Sequence, residues 1–514
     1  MAEREGGDRV EADDEDRGPS MDLLGILLVI IVVAAGLRVY QLDRNPPELF
    51  EDELSGLVSI ESVATTGHDV EETNLPFLTT RLELKQPLYF VATLPFQAVL
   101  GETTMAARLP AMLFGVVGVL LVIAVAVVLG MGTTVALIAG GLQAITPWAI
   151  HFARAGWEPA ALLPFTLGGI ALLWTGLRDG RRPRIVGAAA VFAIGAYAYH
   201  PALLVHVVMA AAIVAVRWRD LLRGNARGSL AIGTLVAAML LVPYAIASTD
   251  PLFLERTRAI SVLRFGWPQA LVQAWQNYWA QWDPSFLFGG RATNPRINPG
   301  PLLFAWTIPF IVVGLDRILH RRSTADLFLL LWLILGPLPA ALTEDGTTPH
   351  AARGLVALPA IVIVTAIGLA RVFDLASTSR RGRVLAPMVA GVTAAIAIGA
   401  ATTWASDYFD RYPIRSANWW GYGTSEAFAI VRDDVPAGAT LCIATGDISR
   451  FTFPHQVALY LPRPAFTVVE GIHDPVCQQD GTYLLALVSR ALDQPVRTID
   501  AVADINGKPF FELD

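Results

Sequence analysis

The stretch MDLLGILLVIIVVAAGLRVY, residues 21–40, carries only two charges, Asp22 and Arg38. As a helix it would be about 30 Å long, the thickness of a bilayer's hydrocarbon core. It reads as a membrane span. About a dozen residues later comes FEDE, residues 50–53, after Pro46 and Pro47. The acids Glu51, Asp52 and Glu53 therefore fall in the first loop on the far side of the bilayer, close to its surface. Ionisable groups near the hydrocarbon edge are costly and tend to be functional. This loop is the first candidate for a reaction or binding site.

The rest of the chain supports that frame. It has 514 residues, 54% hydrophobic and 16% charged, where soluble domains run near 25% charged. Much of the net charge of −7 comes from residues 2–20, with eight acids and three arginines. That tail is expected to be disordered. It is acidic, and no small-residue cleavage site follows the apolar run, so residues 21–40 are expected to be a retained span and no signal peptide. No basic stripe or nucleic-acid motif is present, and nucleic acid is not an expected partner.

Apolar runs recur near 21–41, 106–129, 133–150, 157–177, 184–199, 201–217, 229–248, 300–316, 326–342, 354–373 and 385–404. That gives about eleven spans. Basic residues cluster in four loops: Arg178 to Arg184, Arg217 to Arg227, Arg317 to Arg322, and Arg371 to Arg383. With eleven spans and a cytoplasmic N-terminus, all four fall on the cytoplasmic side, as basic loops should. The expected class is a polytopic α-helical membrane protein of the plasma or inner membrane. It divides into a tail 1–20, a membrane domain 21–404 with outward loops 43–105 and 249–299, and an extracytoplasmic segment 405–514.

That last segment alternates helical and strand-like patterns. Ser425–Arg432 reads as helix. Thr440–Ala444, Phe466–Val469, Tyr483–Val488 and Val496–Ile499 read as strands, so a small α/β domain is expected. The only two cysteines, Cys442 and Cys477, both lie there. An outward compartment permits a disulfide between them, with two free thiols as the other reading. No internal repeat, nucleotide-binding loop or HExxH motif is present, so energy from nucleotide hydrolysis is not indicated.

The outward polar residues form a pattern. Asp52, Glu53 and Glu158 are acids; Lys85, Arg108, Arg154, Arg291, Arg296 and Arg353 are cations. All lie at span ends on one face. A carboxylate beside cations suits a reaction in which a hydroxyl loses a proton as a phosphate leaves. A structural reading stands beside each. Asp52 can be a helix N-cap over 53–64. Lys85 and Arg108 can snorkel to the interface. Arg154 and Glu158, four apart, can form an ion pair. His200 sits at a span turn, and the tryptophans at 267, 275, 279 and 282 suit an aromatic belt. The polar, turn-rich approach Arg291-Ala292-Thr293-Asn294-Pro295-Arg296 has two arginines that can hold a phosphate.

These stretches resemble a family. Phe50-Glu51-Asp52-Glu53 with Gly56 resembles the aromatic-x-Asp-Glu first-loop pattern of GT-C membrane glycosyltransferases. Lys85-Gln86-Pro87-Leu88-Tyr89, Ala107-Arg108-Leu109-Pro110-Ala111, and Pro147 through Arg154 to Glu158 resemble further stretches in the same order. Asn294 to Asn298 and His350-Ala351-Ala352-Arg353 resemble later outward loops. The likeness is to bacterial relatives of protein O-mannosyltransferases and of the lipid A aminoarabinose transferase, over residues 38–375. It implies a polyprenyl-phosphate sugar as donor and a protein, lipid or glycan acceptor on the extracytoplasmic face. Asp52, with Glu53 beside it, matches the catalytic acid and Lys85 a residue at the donor phosphate. Arg296 and Arg353 are expected to join Lys85 there, with Arg108, Arg154, Glu158, His200, Arg291, Asn294 and His350 around the site. Leu84 stands where some members have a metal-binding Glu, so no metal ligand is assigned and a divalent metal stays open. A transporter or flippase, and a scaffold presenting residues 405–514, are the alternatives.

Overall fold

The computed structural model describes residues 21–68, 85–222, 225–249, 255–290, 294–377, 382–434 and 438–443, four strands between 467 and 513, Pro436 and Pro475. The expected tail 1–20 and Arg291 lie outside these residues. Helices occupy all eleven segments read as spans. Among the described residues, six are by themselves long and apolar enough to cross a membrane: Asp22–Val39, Thr104–Val128, Pro159–Asp179, Thr324–Ala341, Ala351–Ser377 and Leu385–Trp420. Thr133–Ile145, Ala202–Val216 and Ala226–Leu240 are apolar but shorter.

Local chemistry sets the boundaries. Thr103 caps Thr104–Val128 by accepting from the Ala106 amide at 3.2 Å. Proline at the first helical position starts Pro147–Phe152 and Pro159–Asp179, where its missing N–H costs nothing. Gly180, at φ 64°, ends the latter and turns the chain into Arg182–Gly195.

The core lies along Leu358–Ser377, whose residues Leu358 to Leu369 are all buried. A helix apolar all round belongs at the centre of a bundle. It packs on Ile308–Arg321 through two glycines. A Cβ at Gly314 would fall on the Val364 carbonyl, and one at Gly368 on the Phe310 carbonyl. Small residues let backbones approach where lipid leaves little hydrophobic drive for association.

After Gly382–Ser406 the chain makes a π-turn at Asp407–Arg411, then helices Tyr412–Trp420 and Thr424–Asp434. A five-stranded sheet follows: β1 (Thr440–Ile443), β2 (Thr467–Glu470), β3 (Tyr483–Leu487), β4 (Asp500–Ala503) and β5 (Pro509–Leu513). The order is β2-β1-β3-β5-β4, with β1 parallel to β2 and β3, and β5 antiparallel to β3 and β4. Three of the expected strands coincide with β1, β2 and β3. Val496–Ile499 lies outside the described residues, and β4 and β5 were not expected. β5 opens on a proline, which suppresses a strand reading. Cys442, on β1, is disulfide-bonded; Cys477 lies outside the described residues.

Candidate active site

The helix Glu51–Thr66 begins at Phe50, so Asp52 sits inside its first turn and is not its N-cap. The capping role falls to Glu53, whose Oε2 accepts from the Phe50 amide at 2.9 Å. Glu53 is buried and its other contacts are equally committed. Arg108 donates to Oε1 at 2.9 Å and to Oε2 at 3.1 Å, and the Gly156 amide donates to Oε1 at 2.6 Å. Such a bidentate pair fixes geometry as well as charge. Glu53 is thereby a structural post and poorly placed to take a proton. Arg108 also donates to the carbonyls of Leu42 (3.2 Å), Pro46 (2.7 Å) and Glu48 (2.6 Å).

Arg154 is committed to backbone oxygens. Its guanidinium donates to the carbonyls of Leu37, Arg38, Gln41 and Asn45 at 2.7–3.1 Å. Those carbonyls include the open end of helix Met21–Val39, where a cation is favoured. Two arginines from elsewhere in the chain, Arg108 in helix Thr104–Val128 and Arg154 in the turn after Pro147–Phe152, thus hold the approach to the first-loop acids by its backbone.

Asp52 and Lys85 come together on this frame. The ammonium lies 3.1 Å from Asp52 Oδ1 and also donates to the Ser55 hydroxyl. Their exposures differ: 24% for the Asp52 side chain, 1% for that of Lys85. The carboxylate is reachable and the cation is sheltered. The Glu158 carboxylate accepts from the amide of the residue after Lys85, Gln86. The Gln86 side chain meets His200 Nδ1 at 3.3 Å, and the Leu88 amide donates to the Tyr197 carbonyl at 3.0 Å. A dense set of bonds therefore fixes where Lys85 enters the site.

Arg296 reaches the same region from the loop 294–300. Its guanidinium carbon lies 3.2 Å from the centre of the Phe50 ring, two residues before Asp52. The Arg296 amide donates to Asn294 Oδ1 at 3.0 Å. Asn298 ties this loop to the turn at His350, donating to the Pro349 carbonyl at 3.1 Å and accepting from the Ala351 amide at 3.2 Å. Arg353, expected at a phosphate, is turned onto Asp345 and donates to the Thr343 hydroxyl at 3.1 Å. Burial alone would raise the Asp345 carboxyl; Arg353 and the Thr347 hydroxyl outweigh it and hold it well below the usual carboxylate range.

Several residues that complete the site had no role assigned from sequence. His151 is buried among Phe152, Trp157, Tyr408, Tyr412 and Trp420. Tyr412 donates to the Pro295 carbonyl at 3.1 Å, and Trp420 Nε1 donates to Tyr412 at 2.9 Å. Trp420 also meets Phe50 edge-on at 6.1 Å between ring centres. The segment after residue 404 therefore builds one wall of the site. Ser425 fastens the next helix to the first loop, donating to Glu48 at 2.9 Å. Burial pushes the Glu48 carboxyl above its ordinary range, against that hydroxyl.

Chemically, the site offers a reachable carboxylate beside a sheltered ammonium, with a guanidinium close by. It can accept a proton from one group while stabilising negative charge on another. Among the described residues, no three His, Cys, Asp or Glu side chains come together as a metal site.

No protein-family model matches the sequence, and no curated protein matches it. Solved structures do. ArnT from Cupriavidus metallidurans, bound to undecaprenyl phosphate, aligns with TM-score 0.56 at 14% identity, covering 96% of this chain and 97% of that one. The archaeal oligosaccharyltransferase AglB from Archaeoglobus fulgidus, in complex with an inhibitory peptide and a dolichol-phosphate, aligns with TM-score 0.54 at 13% identity, covering 91% and 69%. The chain shares the fold of these two structures.

Proposed function

We propose, with the GT-C fold as premise, that the chain is a membrane glycosyltransferase moving a sugar from a polyprenyl-phosphate donor to an acceptor hydroxyl. The observation that carries this is the Asp52–Lys85 pair: a partly exposed carboxylate 3.1 Å from a buried ammonium. Both solved neighbours hold polyprenyl-type phosphates, undecaprenyl phosphate in one and a dolichol-phosphate in the other. A multi-pass membrane protein with outward acids suits a donor whose carrier cannot leave the bilayer.

In the proposed reaction the acceptor O–H gives its proton to the Asp52 carboxylate. The oxygen attacks the anomeric carbon from the side opposite the phosphate. The carbon–oxygen bond to phosphate breaks, and polyprenyl phosphate leaves with the electron pair. Lys85 and Arg296 offset the charge on the leaving phosphate. Attack from the opposite side inverts the anomeric centre. Lys85 exchanges part of its hold on Asp52 for the phosphate, which frees the carboxylate as the donor arrives. No step is routed through a metal. The extracytoplasmic face is the proposed side, from the basic loops. Arg353 joins the phosphate only by letting go of Asp345.

The test is transfer of labelled sugar in proteoliposomes from a panel of polyprenyl-phosphate sugars to lipid, peptide and glycan acceptors. Asp52→Asn should cut turnover by ~10²–10⁴ while the chain stays folded, since the amide oxygen still faces the Lys85 ammonium. Lys85→Met should weaken donor use by roughly tenfold or more. Full turnover by a folded Asp52→Asn variant would remove Asp52 as the base. Absence of transfer from every donor would move weight to lipid translocation.

A further inference from the structure

We infer that His151 and Tyr408 are positioning residues for Arg296: they hold its backbone so that its guanidinium stays on the face of Phe50. This rests on the reading of Arg296 as a donor-phosphate contact. His151 is buried, at 0% exposure. Its Nε2 lies 2.7 Å from the Arg296 carbonyl and its Nδ1 2.9 Å from the Tyr408 hydroxyl. A carbonyl can only accept, so Nε2 carries the proton and donates. Nδ1 is then an acceptor, and the Tyr408 hydroxyl donates to it. The ring is neutral, in one tautomer, with both nitrogens committed.

The backbone around Arg296 is gripped on each side. His151 takes the Arg296 carbonyl, Tyr412 the Pro295 carbonyl, and Asn294 the Arg296 amide. Tyr408 and Tyr412 stack at 5.0 Å between ring centres with a 13° angle between planes. They leave the π-turn at Asp407–Arg411 and the helix that follows it, so that turn sets the phase at which both hydroxyls arrive. π-turns of this kind interrupt helices at sites of function. The Asn45 side chain donates to the Tyr408 carbonyl at 2.8 Å, joining the clamp to the approach to Asp52. The chain thus fixes Arg296 by its main chain while the guanidinium lies over the ring of Phe50.

The experiment uses the full chain in nanodiscs. Undecaprenyl phosphate is titrated by binding, and transfer kinetics are run with the donor found active above. Arg296→Ala, His151→Ala, His151→Gln and Tyr408→Phe are compared, with the double variant His151→Ala/Arg296→Ala. His151→Ala and Tyr408→Phe should each weaken undecaprenyl phosphate binding and raise the donor KM by about three- to tenfold, with kcat little changed. His151→Gln should recover most of the loss, because an amide also donates from one atom and accepts at the other. The double variant should lose no more than Arg296→Ala alone, as expected of residues acting through one group. Tyr408→Phe keeps its ring and removes one hydroxyl, so it tests the clamp even if His151→Ala fails to fold. Additive losses in the double variant would overturn the positioning role while leaving Arg296 at the phosphate. Unchanged binding in Arg296→Ala would overturn the phosphate reading and this inference with it.

Discussion

At the scale of single residues, the site separates frame from chemistry. Glu53 and Asp52 are neighbours in sequence, yet Glu53 is enclosed by Arg108, Phe50 and Gly156 while Asp52 keeps an exposed edge. Removing one partner of a buried pair leaves a charge uncompensated, at a cost of about 3–5 kcal/mol. Glu53→Gln and Arg108→Met should therefore lower the unfolding temperature sharply, and Asp52→Asn by less, because only one side of the Asp52–Lys85 pair is fully buried; differential scanning fluorimetry in nanodiscs reads the contrast. Gly156 allows a further test. A Cβ there would stand 2.8 Å from both the Ala107 carbonyl and Glu53 Oε1. Gly156→Ala should cost about 1–3 kcal/mol of stability, and it should displace the Glu53 post. Sequence brought Asp52 and Lys85 forward as part of an acidic cluster and as a cation after the first span, and the structure sets them 3.1 Å apart. His151 was legible in principle, being the sole ionisable residue of the apolar stretch 133–153, but nothing local says which carbonyl it serves. The function of Glu53 was hidden for the same reason: its partners are 55 and 103 residues away.

At the scale of elements, the apolar runs gave the helices because length and hydropathy are written in one contiguous stretch. Their contacts were less legible. Gly314 and Gly368 sit in helices that also contain many small residues, and only the packing picks them out. Gly368→Leu should separate Ile308–Arg321 from Leu358–Ser377 and lower the unfolding temperature by several degrees; an unchanged melt would mean that this crossing tolerates added volume. The turn 343–353 carries a pH dependence. The Asp345 carboxyl is held low in the folded chain, chiefly by Arg353 against its own burial. Its pairing therefore stabilises the fold above the unfolded carboxylate range, near pH 4. That contribution fades as the pH falls further. The melting difference between the native chain and Asp345→Asn should be flat from about pH 5 to 8 and shrink below about pH 4. A difference that grew on acidification would contradict the assigned pair.

At the scale of the whole molecule, residues 405–434 line the candidate site, and the strands β1 to β5 follow, with β4 and β5 packed on helix Thr424–Asp434. The sequence suggested one extracytoplasmic domain starting at 405, since a break in hydropathy looks like a domain boundary. Tyr408, Tyr412, Trp420 and Ser425, all past that break, touch residues of the membrane half. A chain ending after Ser406 should lose transfer altogether. One ending after Asp434 should keep the clamp on Arg296 and bind undecaprenyl phosphate with near-native affinity, measured in the same nanodiscs. The two missed strands, β4 and β5, are short and pair with each other as sequence neighbours; four or five residues carry too little alternation to mark a strand, and β5 opens on a proline.

Arg108 and Arg154 hold residues 41–48 by carbonyl oxygens alone, five of them, from Gln41 to Glu48. Every amino acid supplies that same oxygen. The path of this segment is therefore held largely by residues that lie outside it, with the side chains of Asn45 and Glu48 adding bonds of their own. A change of side chain elsewhere along the approach leaves the carbonyls that the two arginines bind in place. Comparison by letters would then find little, and comparison by shape would find nearly the whole chain, as with the neighbour at 14% identity and 96% coverage.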